Sequence, residues 1–222
     1  MTGPATRVKI CGLRDEETVL AMDGLAFHEI GFIFAPSKRR IGTNEARACV
    51  RAAHGIRTVW DVRPQTVGVF VNAPMEELSA VLNAVPLDVV QLHGNERPER
   101  CAELKRRYPS LRVWKAFSVS SENGESAEAA RAYADIADAL LLDAPGGGTG
   151  KTFDWSAIDR YRSIAAEAGK PLYVAGGLNA DNIGELLSVY RPDGVDVSSG
   201  VETDGVKDIG KIKTFVRRVL EA

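Results

Sequence analysis

Short, almost wholly apolar runs alternate along this chain with longer stretches whose apolar positions return every three or four residues. The first kind predicts strands at residues 8–11, 29–34, 66–71, 89–92, 112–117, 139–143, 172–175 and 195–197. The second predicts helices at 16–23, 44–53, 75–84, 98–107, 126–136, 155–168, 182–189 and 209–220. Strict alternation of strand and helix implies βα units and a parallel sheet. Runs such as Ala139-Leu140-Leu141-Leu142 have no polar alternation, which fits strands covered on both faces. Eight such units in 222 residues favour a closed (β/α)8 TIM barrel over an open doubly wound sheet. No interior linker stands out, so residues 1–222 read as a single (β/α)8 barrel domain.

Composition narrows the function without naming it. A formal charge of -2 and a pI near 6.0 give no global reason to expect nucleic acid or an anionic membrane as partner. An anionic ligand would need a local site. The three cysteines, Cys11, Cys49 and Cys101, are odd in number and lack metal-ligand spacing, so neither a disulfide framework nor a metal centre is expected. Neither a signal-peptide core nor an apolar window of membrane-spanning length occurs, and a cytoplasmic protein is the expectation. A monomer is expected, with a dimer as the alternative, because no apolar patch away from the functional rim is evident in the sequence.

In this architecture the strand C-termini form the rim where active sites sit. Chemistry-bearing residues at those ends therefore carry the argument. Cys11 ends the first strand just before Gly12; a buried inert thiol is the ordinary alternative. Lys9 lies two residues earlier on the same side of the strand. Its ammonium would lower the pKa of a thiol that is otherwise only about 3% ionised at pH 7. Lys9 could also pair with Asp196 on the neighbouring eighth strand, and both readings are compatible. Asp143 closes the run Leu140-Leu141-Leu142. A partly desolvated carboxyl there suits a general acid, whereas a turn aspartate is the alternative.

Two glycine-rich strand ends point to phosphate. Ala175-Gly176-Gly177-Leu178 follows strand seven, and Asp196-Val197-Ser198-Ser199-Gly200 ends strand eight. Loops seven and eight are the habitual phosphate site of a barrel, and Gly176, Gly177, Ser198, Ser199 and Gly200 can offer amides and hydroxyls to an anion. The segment Gly147-Gly148-Thr149-Gly150-Lys151-Thr152 tempts towards a nucleotide-binding loop, but Pro145 occupies the leading glycine position. A mobile segment at 146–150 closing over a ligand is the better reading. After strand two, Ser37-Lys38-Arg39-Arg40 offers a guanidinium that could grip a carboxylate in two-point fashion. Gln91-Leu92-His93-Gly94 presents Gln91 and His93 on one face at the end of strand four.

As an ordered set these elements resemble the phosphoribosylanthranilate isomerase family. The matching strings are Lys9-Ile10-Cys11-Gly12, Gly31-Phe32-Ile33-Phe34 with Ser37-Lys38-Arg39, Val67-Gly68-Val69-Phe70, and Gln91-Leu92-His93-Gly94. Leu142-Asp143, Gly150-Lys151-Thr152-Phe153-Asp154-Trp155, Gly176-Gly177-Leu178 and Val195-Asp196-Val197-Ser198-Ser199-Gly200-Val201-Glu202 complete it. The resemblance runs over nearly the whole chain, and the combination is what makes it specific. It implies a cofactor-free Amadori rearrangement of N-(5'-phosphoribosyl)anthranilate, a phosphorylated small molecule of tryptophan biosynthesis. It further implies Asp143 as the acid that opens the furanose and Cys11 as the base at C2. It gives Arg39, by alignment rather than Arg40, as the carboxylate clamp. Gln91, His93 and Asp196 are expected to bind the substrate alongside Arg39. The stretch 57–65 is longer and more polar than that pattern. A related histidine-pathway isomerase uses two aspartates, which Cys11 argues against. An inactive phosphometabolite sensor would need neither Cys11 nor Asp143.

Overall fold

The computed structural model describes residues 6–119, 127–146 and 150–222. Its strands are β1 (Arg7–Cys11), β2 (Glu29–Ile33), β3 (Gln65–Phe70), β4 (Val89–Leu92), β5 (Arg112–Ser118), β6 (Ala139–Asp143), β7 (Leu172–Val174) and β8 (Gly194–Val197). They pair in parallel in sequence order, and β8 closes on β1 through Arg7↔Gly194 to Ile10↔Val197. The helices α1 (Glu16–Leu20), α2 (Thr43–Gly55), α3 (Met75–Ala84), α4 (Pro98–Arg107), α5 (Ala127–Ala134), α6 (Ile158–Glu167), α7 (Ile183–Val189) and α8 (Ile209–Glu221) surround them. The expected (β/α)8 barrel is what forms.

Differences from the sequence reading lie at element ends. The helix expected at 155–168 begins as a 3-10 turn, Trp155–Ala157, because the Asp154 carboxylate accepts from the Ser156 amide at 3.0 Å and tightens the entry. Helix α1 stops at Leu20 rather than residue 23, where a turn leads into Gly24. Ser126, the expected first residue of the fifth helix, lies outside the described residues, as do three residues of the expected 146–150 lid. Beyond β8, a 3-10 turn at Ser199–Val201 and the ribbon that follows it were not foreseen. Strands β9 (Glu202–Thr203) and β10 (Val206–Lys207) form a small antiparallel ribbon after β8.

Strand parity divides the side chains between two apolar regions. Residues such as Val8, Ile10, Ile30 and Phe32 face outward against the helices in the larger core. Val67, Val89, Trp114, Ala116, Leu141 and Tyr173 fill the barrel itself. Beneath them lies a polar floor, where Glu29 Oε1 accepts from Arg7 Nε at 2.8 Å and from the Tyr173 hydroxyl at 3.1 Å. Packing seals this end, so a ligand must enter from the opposite rim.

At the floor, His28 Nδ1 accepts from the Val8 amide at 3.1 Å, and its ring lies 4.3 Å from that of Trp60. Protonation would destroy this acceptor. Burial and then the Arg7 charge push the His28 pKa from 6.5 down to about 4. The folded state thus binds fewer protons than the unfolded chain between those values. The stabilisation is complete above pH 6.5 and is lost as pH falls towards 4. Melting temperature measured from pH 7 to pH 4 should therefore show a slope that His28→Gln, which keeps an acceptor but cannot titrate, flattens. An unchanged slope in the variant would assign it to other groups.

The connection ahead of β3 leaves Val59, Trp60 and Val62 exposed at this same end, by 57%, 41% and 54%. The sequence argument for a monomer, which relied on the lack of an apolar patch away from the rim, is corrected by these three residues.

Candidate active site

The rim-most inward positions of several strands converge on one cavity of about 360 Å³. Cys11 arrives from β1 and Asp143 from β6, with Gln91 of β4, His93 just beyond it and Asp196 of β8 between them in the lining. Parity explains the convergence. Lys9 and Cys11 share the inner face of β1, and Leu141 and Asp143 share that of β6, so in each case the last inward residue stands at the mouth.

Cys11 is buried, at 6% exposure. Its sulfur has room because the facing residue is Gly31, where a Cβ would stand 2.6 Å from Sγ. Lys9, fully buried, donates to Asp196 Oδ2 at 2.6 Å, the pairing anticipated from sequence. Burial works against its ammonium, but Asp196 and then Cys11 outweigh burial and hold its pKa above the ordinary value. The expected lowering of the thiol needs correction. Burial pushes the Cys11 pKa up, and the opposing pull of Lys9 does not cancel it, partly because Asp196 adds a like charge. Lys9 thus limits the cost of a thiolate without reversing it.

Asp143, 7% exposed, is held from two sides. Its Oδ1 accepts from the Ala144 amide at 2.8 Å, and Oδ2 lies 3.2 Å from His93 Nε2. Gln91 Nε2 is 3.1 Å from His93 Nδ1. With the Gln91 amide donating there, the ring hydrogen sits on Nε2 and points at the carboxylate. Gln91 and His93 therefore orient the Asp143 carboxyl as well as line the cavity. Two buried acceptors in this lining, Gln91 Oε1 and Asp196 Oδ1, have no hydrogen-bond partner among the described residues. A polyhydroxylated ligand would supply the missing donors.

Arg39 lines the cavity at 15% side-chain exposure, whereas Arg40 is exposed and does not. The anticipated two-point grip is already made within the protein: Arg39 Nε and Nη2 donate to Glu202 Oε1 and Oε2, both at 2.7 Å. One edge of the guanidinium is thereby spent. Among the described residues these are the guanidinium's side-chain bonds, which leaves Nη1 and the second Nη2 hydrogen to meet a ligand end-on.

Loops seven and eight stand together on the rim as expected. Gly176 and Gly177, both at positive φ, line the cavity with Ser198 and Ser199. A side chain at Gly176 would collide with the Ala144 amide at 2.6 Å and crowd Asp143 Oδ1 at 3.0 Å, so glycine lets this loop approach Asp143. Gly200 lies outside the lining. The Leu178 carbonyl oxygen occupies the space a Cβ would need there, so Gly200 locks the two loops together. The Ser198 hydroxyl is also committed, donating to the Cys11 carbonyl at 3.0 Å. Its contribution to an anion is the backbone amide. Two charged residues of this neighbourhood whose side chains are enclosed, Glu202 and Lys207, were missed as site residues. Their sequence signal was Asp204-Gly205, a two-residue hairpin turn with φ of 52° and 77°.

The family model described as N-(5'phosphoribosyl)anthranilate (PRA) isomerase matches residues 8–218. An N-(5'-phosphoribosyl)anthranilate isomerase of Brevibacillus brevis is 46% identical over 218 residues, covering 96% of this chain and 93% of that protein. A solved phosphoribosylanthranilate isomerase of Thermotoga maritima, described as monomers generated from a dimeric enzyme, has 38% identity and a TM-score of 0.80. That match covers 98% of this chain and 100% of the solved one. Another solved isomerase, in complex with reduced 1-(o-carboxyphenylamino)-1-deoxyribulose 5-phosphate, has 35% identity and a TM-score of 0.77 over the same shares.

Proposed function

The chain belongs to the N-(5'-phosphoribosyl)anthranilate isomerase family, which makes it an isomerase of tryptophan biosynthesis, and from that premise we propose how its own residues carry the reaction. The substrate is N-(5'-phosphoribosyl)anthranilate and the product 1-(2-carboxyphenylamino)-1-deoxyribulose 5-phosphate. Protonated Asp143 gives its proton to the furanose ring oxygen as the C1–O bond breaks, and the anilino nitrogen supplies the electron pair. The resulting iminium acidifies C2, from which the Cys11 thiolate removes a proton. The enol-amine then tautomerises to the ketone. Each step is a proton transfer, so the reading needs neither metal nor redox cofactor.

The observation that carries this assignment is that a thiol and a carboxyl from strands on different sides of the barrel line one cavity, each with its own positioning partners. The orphaned acceptors of Gln91 and Asp196 suit ribose hydroxyls. The amides about Gly176, Gly177, Ser198 and Ser199 suit the phosphate, and Arg39 suits the anthranilate carboxylate. Anchoring both ends orients the sugar between acid and base.

Loss of anthranilate-type fluorescence on adding the purified protein to substrate is the direct assay. Arg39→Ala should raise KM by about 10- to 100-fold, the cost of one charge-assisted contact, with a smaller change in kcat. An unchanged KM would remove Arg39 from substrate binding. Binding without turnover by the native chain would favour a sensor instead.

Residues 1–222 are proposed to act as one catalytic domain. Its oligomeric state is proposed as a monomer, with a dimer as the alternative, and a solution mass of twice 24.0 kDa would select the dimer. Among the described residues no helix is long and apolar enough to cross a membrane. Free, buried Cys11, Cys49 and Cys101 suit the reducing cytoplasm we propose as its location.

A further inference from the structure

The ribbon β9–β10 places Glu202 and Lys207 directly opposite one another, and neither side chain is more than 6% exposed. Lys207 Nζ donates to Glu202 Oε1 at 2.6 Å, to the Ser198 carbonyl at 2.9 Å and to Ser198 Oγ at 3.3 Å. Its three hydrogens are thus all engaged. Glu202 holds Arg39 through both carboxylate oxygens. Ser198 Oγ in turn donates to the Cys11 carbonyl. A continuous chain of polar contacts therefore runs from the guanidinium through Glu202, Lys207 and Ser198 to the backbone of Cys11.

Packing reinforces this chain at Gly12. With φ of +84°, and with Arg39 Cδ and Ser198 Oγ only 2.7 and 3.1 Å from where a Cβ would stand, Gly12 lets the arginine stem and the β8 loop meet over the end of β1. Two charges sequestered on such a small ribbon, against a third on Arg39, are hard to explain as stability alone, since buried ion clusters are poor sources of it. They do fix geometry. A free arginine would populate many rotamers at the cavity mouth; this one is held on one edge before any ligand arrives. The two cations and one anion also leave the cluster with a net positive charge, and Arg39 is its member in the cavity lining. Glu202 alone would neutralise Arg39.

We propose that Glu202 and Lys207 are positioning residues that hold the Arg39 guanidinium in register with the catalytic strand end and keep it net cationic for the substrate carboxylate. This rests on the reading of Arg39 as carboxylate clamp. Glu202 itself is well suited to the part: burial opposes its ionisation, but the hydrogen bonds from Arg39 and then Lys207 hold its pKa down at about 2.

The test compares two substrates, N-(5'-phosphoribosyl)anthranilate and the analogue made from ribose 5-phosphate and aniline, which lacks the carboxylate. The readout is the ratio of their kcat/KM values. Glu202→Gln and Lys207→Met should each lower that ratio by about 10-fold, chiefly through KM for the carboxylated substrate. Lys207→Arg, which keeps charge and donors, should restore most of it. In an Arg39→Ala background Glu202→Gln should lower the ratio no further. Equal losses on both substrates, or an unchanged ratio, would overturn the inference, and either substitution acting fully in the Arg39→Ala background would do the same. If Arg39→Ala itself leaves the ratio unchanged, the clamp assignment fails and takes this inference with it. If Arg39→Ala lowers the ratio and the ribbon variants do not, only the positioning role is lost.

Discussion

Cys11→Ser should lower kcat by about 100-fold or more while substrate still binds. Serine fills nearly the same space beside Gly31, so the cavity and the Lys9–Asp196 pair should persist. What is lost is acidity. A hydroxyl gives up its proton far less readily than a thiol, and the ammonium that tempers the cost of a buried thiolate cannot bring an alkoxide within reach near neutral pH. Native activity carries a matching signature. Burial raises the Cys11 pKa above its ordinary value of 9.0, so the thiolate fraction, and with it the rate of deprotonation, climbs with pH through neutrality. Steady-state kinetics from pH 6 to pH 9 should show this rise in the native protein. Near-native turnover by the serine variant would remove Cys11 from the mechanism.

Much of this was readable from residue order because a parallel barrel turns sequence position into spatial position. Once Ala139-Leu140-Leu141-Leu142-Asp143 is a strand covered on both faces, parity and direction place Asp143 at the mouth, and the same reasoning places Cys11. The pairing of Lys9 with Asp196 was also legible, since adjacent strands bring like-numbered inward positions together. Net electrostatics was less accessible. Whether Lys9 or burial controls the thiol depends on a competition that strand order cannot rank, and burial wins. Arg39 was legible as a cavity residue but not as a committed one. Its partner Glu202 lies far along the chain on a ribbon with strands of two residues, too short for any periodicity to register. Ser198 shows the same limit: its residue type suggested an anion donor, while its neighbours commit the hydroxyl to the Cys11 carbonyl.

Asp143→Asn should cost about 100-fold or more in kcat, for a reason separable from that of the cysteine. The amide keeps the shape of the carboxyl, and its Oδ1 can still accept from the Ala144 amide, so the strand end should hold its geometry. It has no acidic proton for the ring oxygen, and its NH2 would face His93 Nε2, where a carboxylate oxygen now lies at 3.2 Å. Ring opening should therefore become limiting. The distinction is measurable by supplying substrate deuterated at C2. The cysteine variant, slow at carbon deprotonation, should show a primary isotope effect on kcat. In the asparagine variant, stalled before that step, the effect should be small. A large isotope effect in the Asp143 variant, or activity within a few-fold of native, would contradict the assignment of acid to one side of the cavity and base to the other.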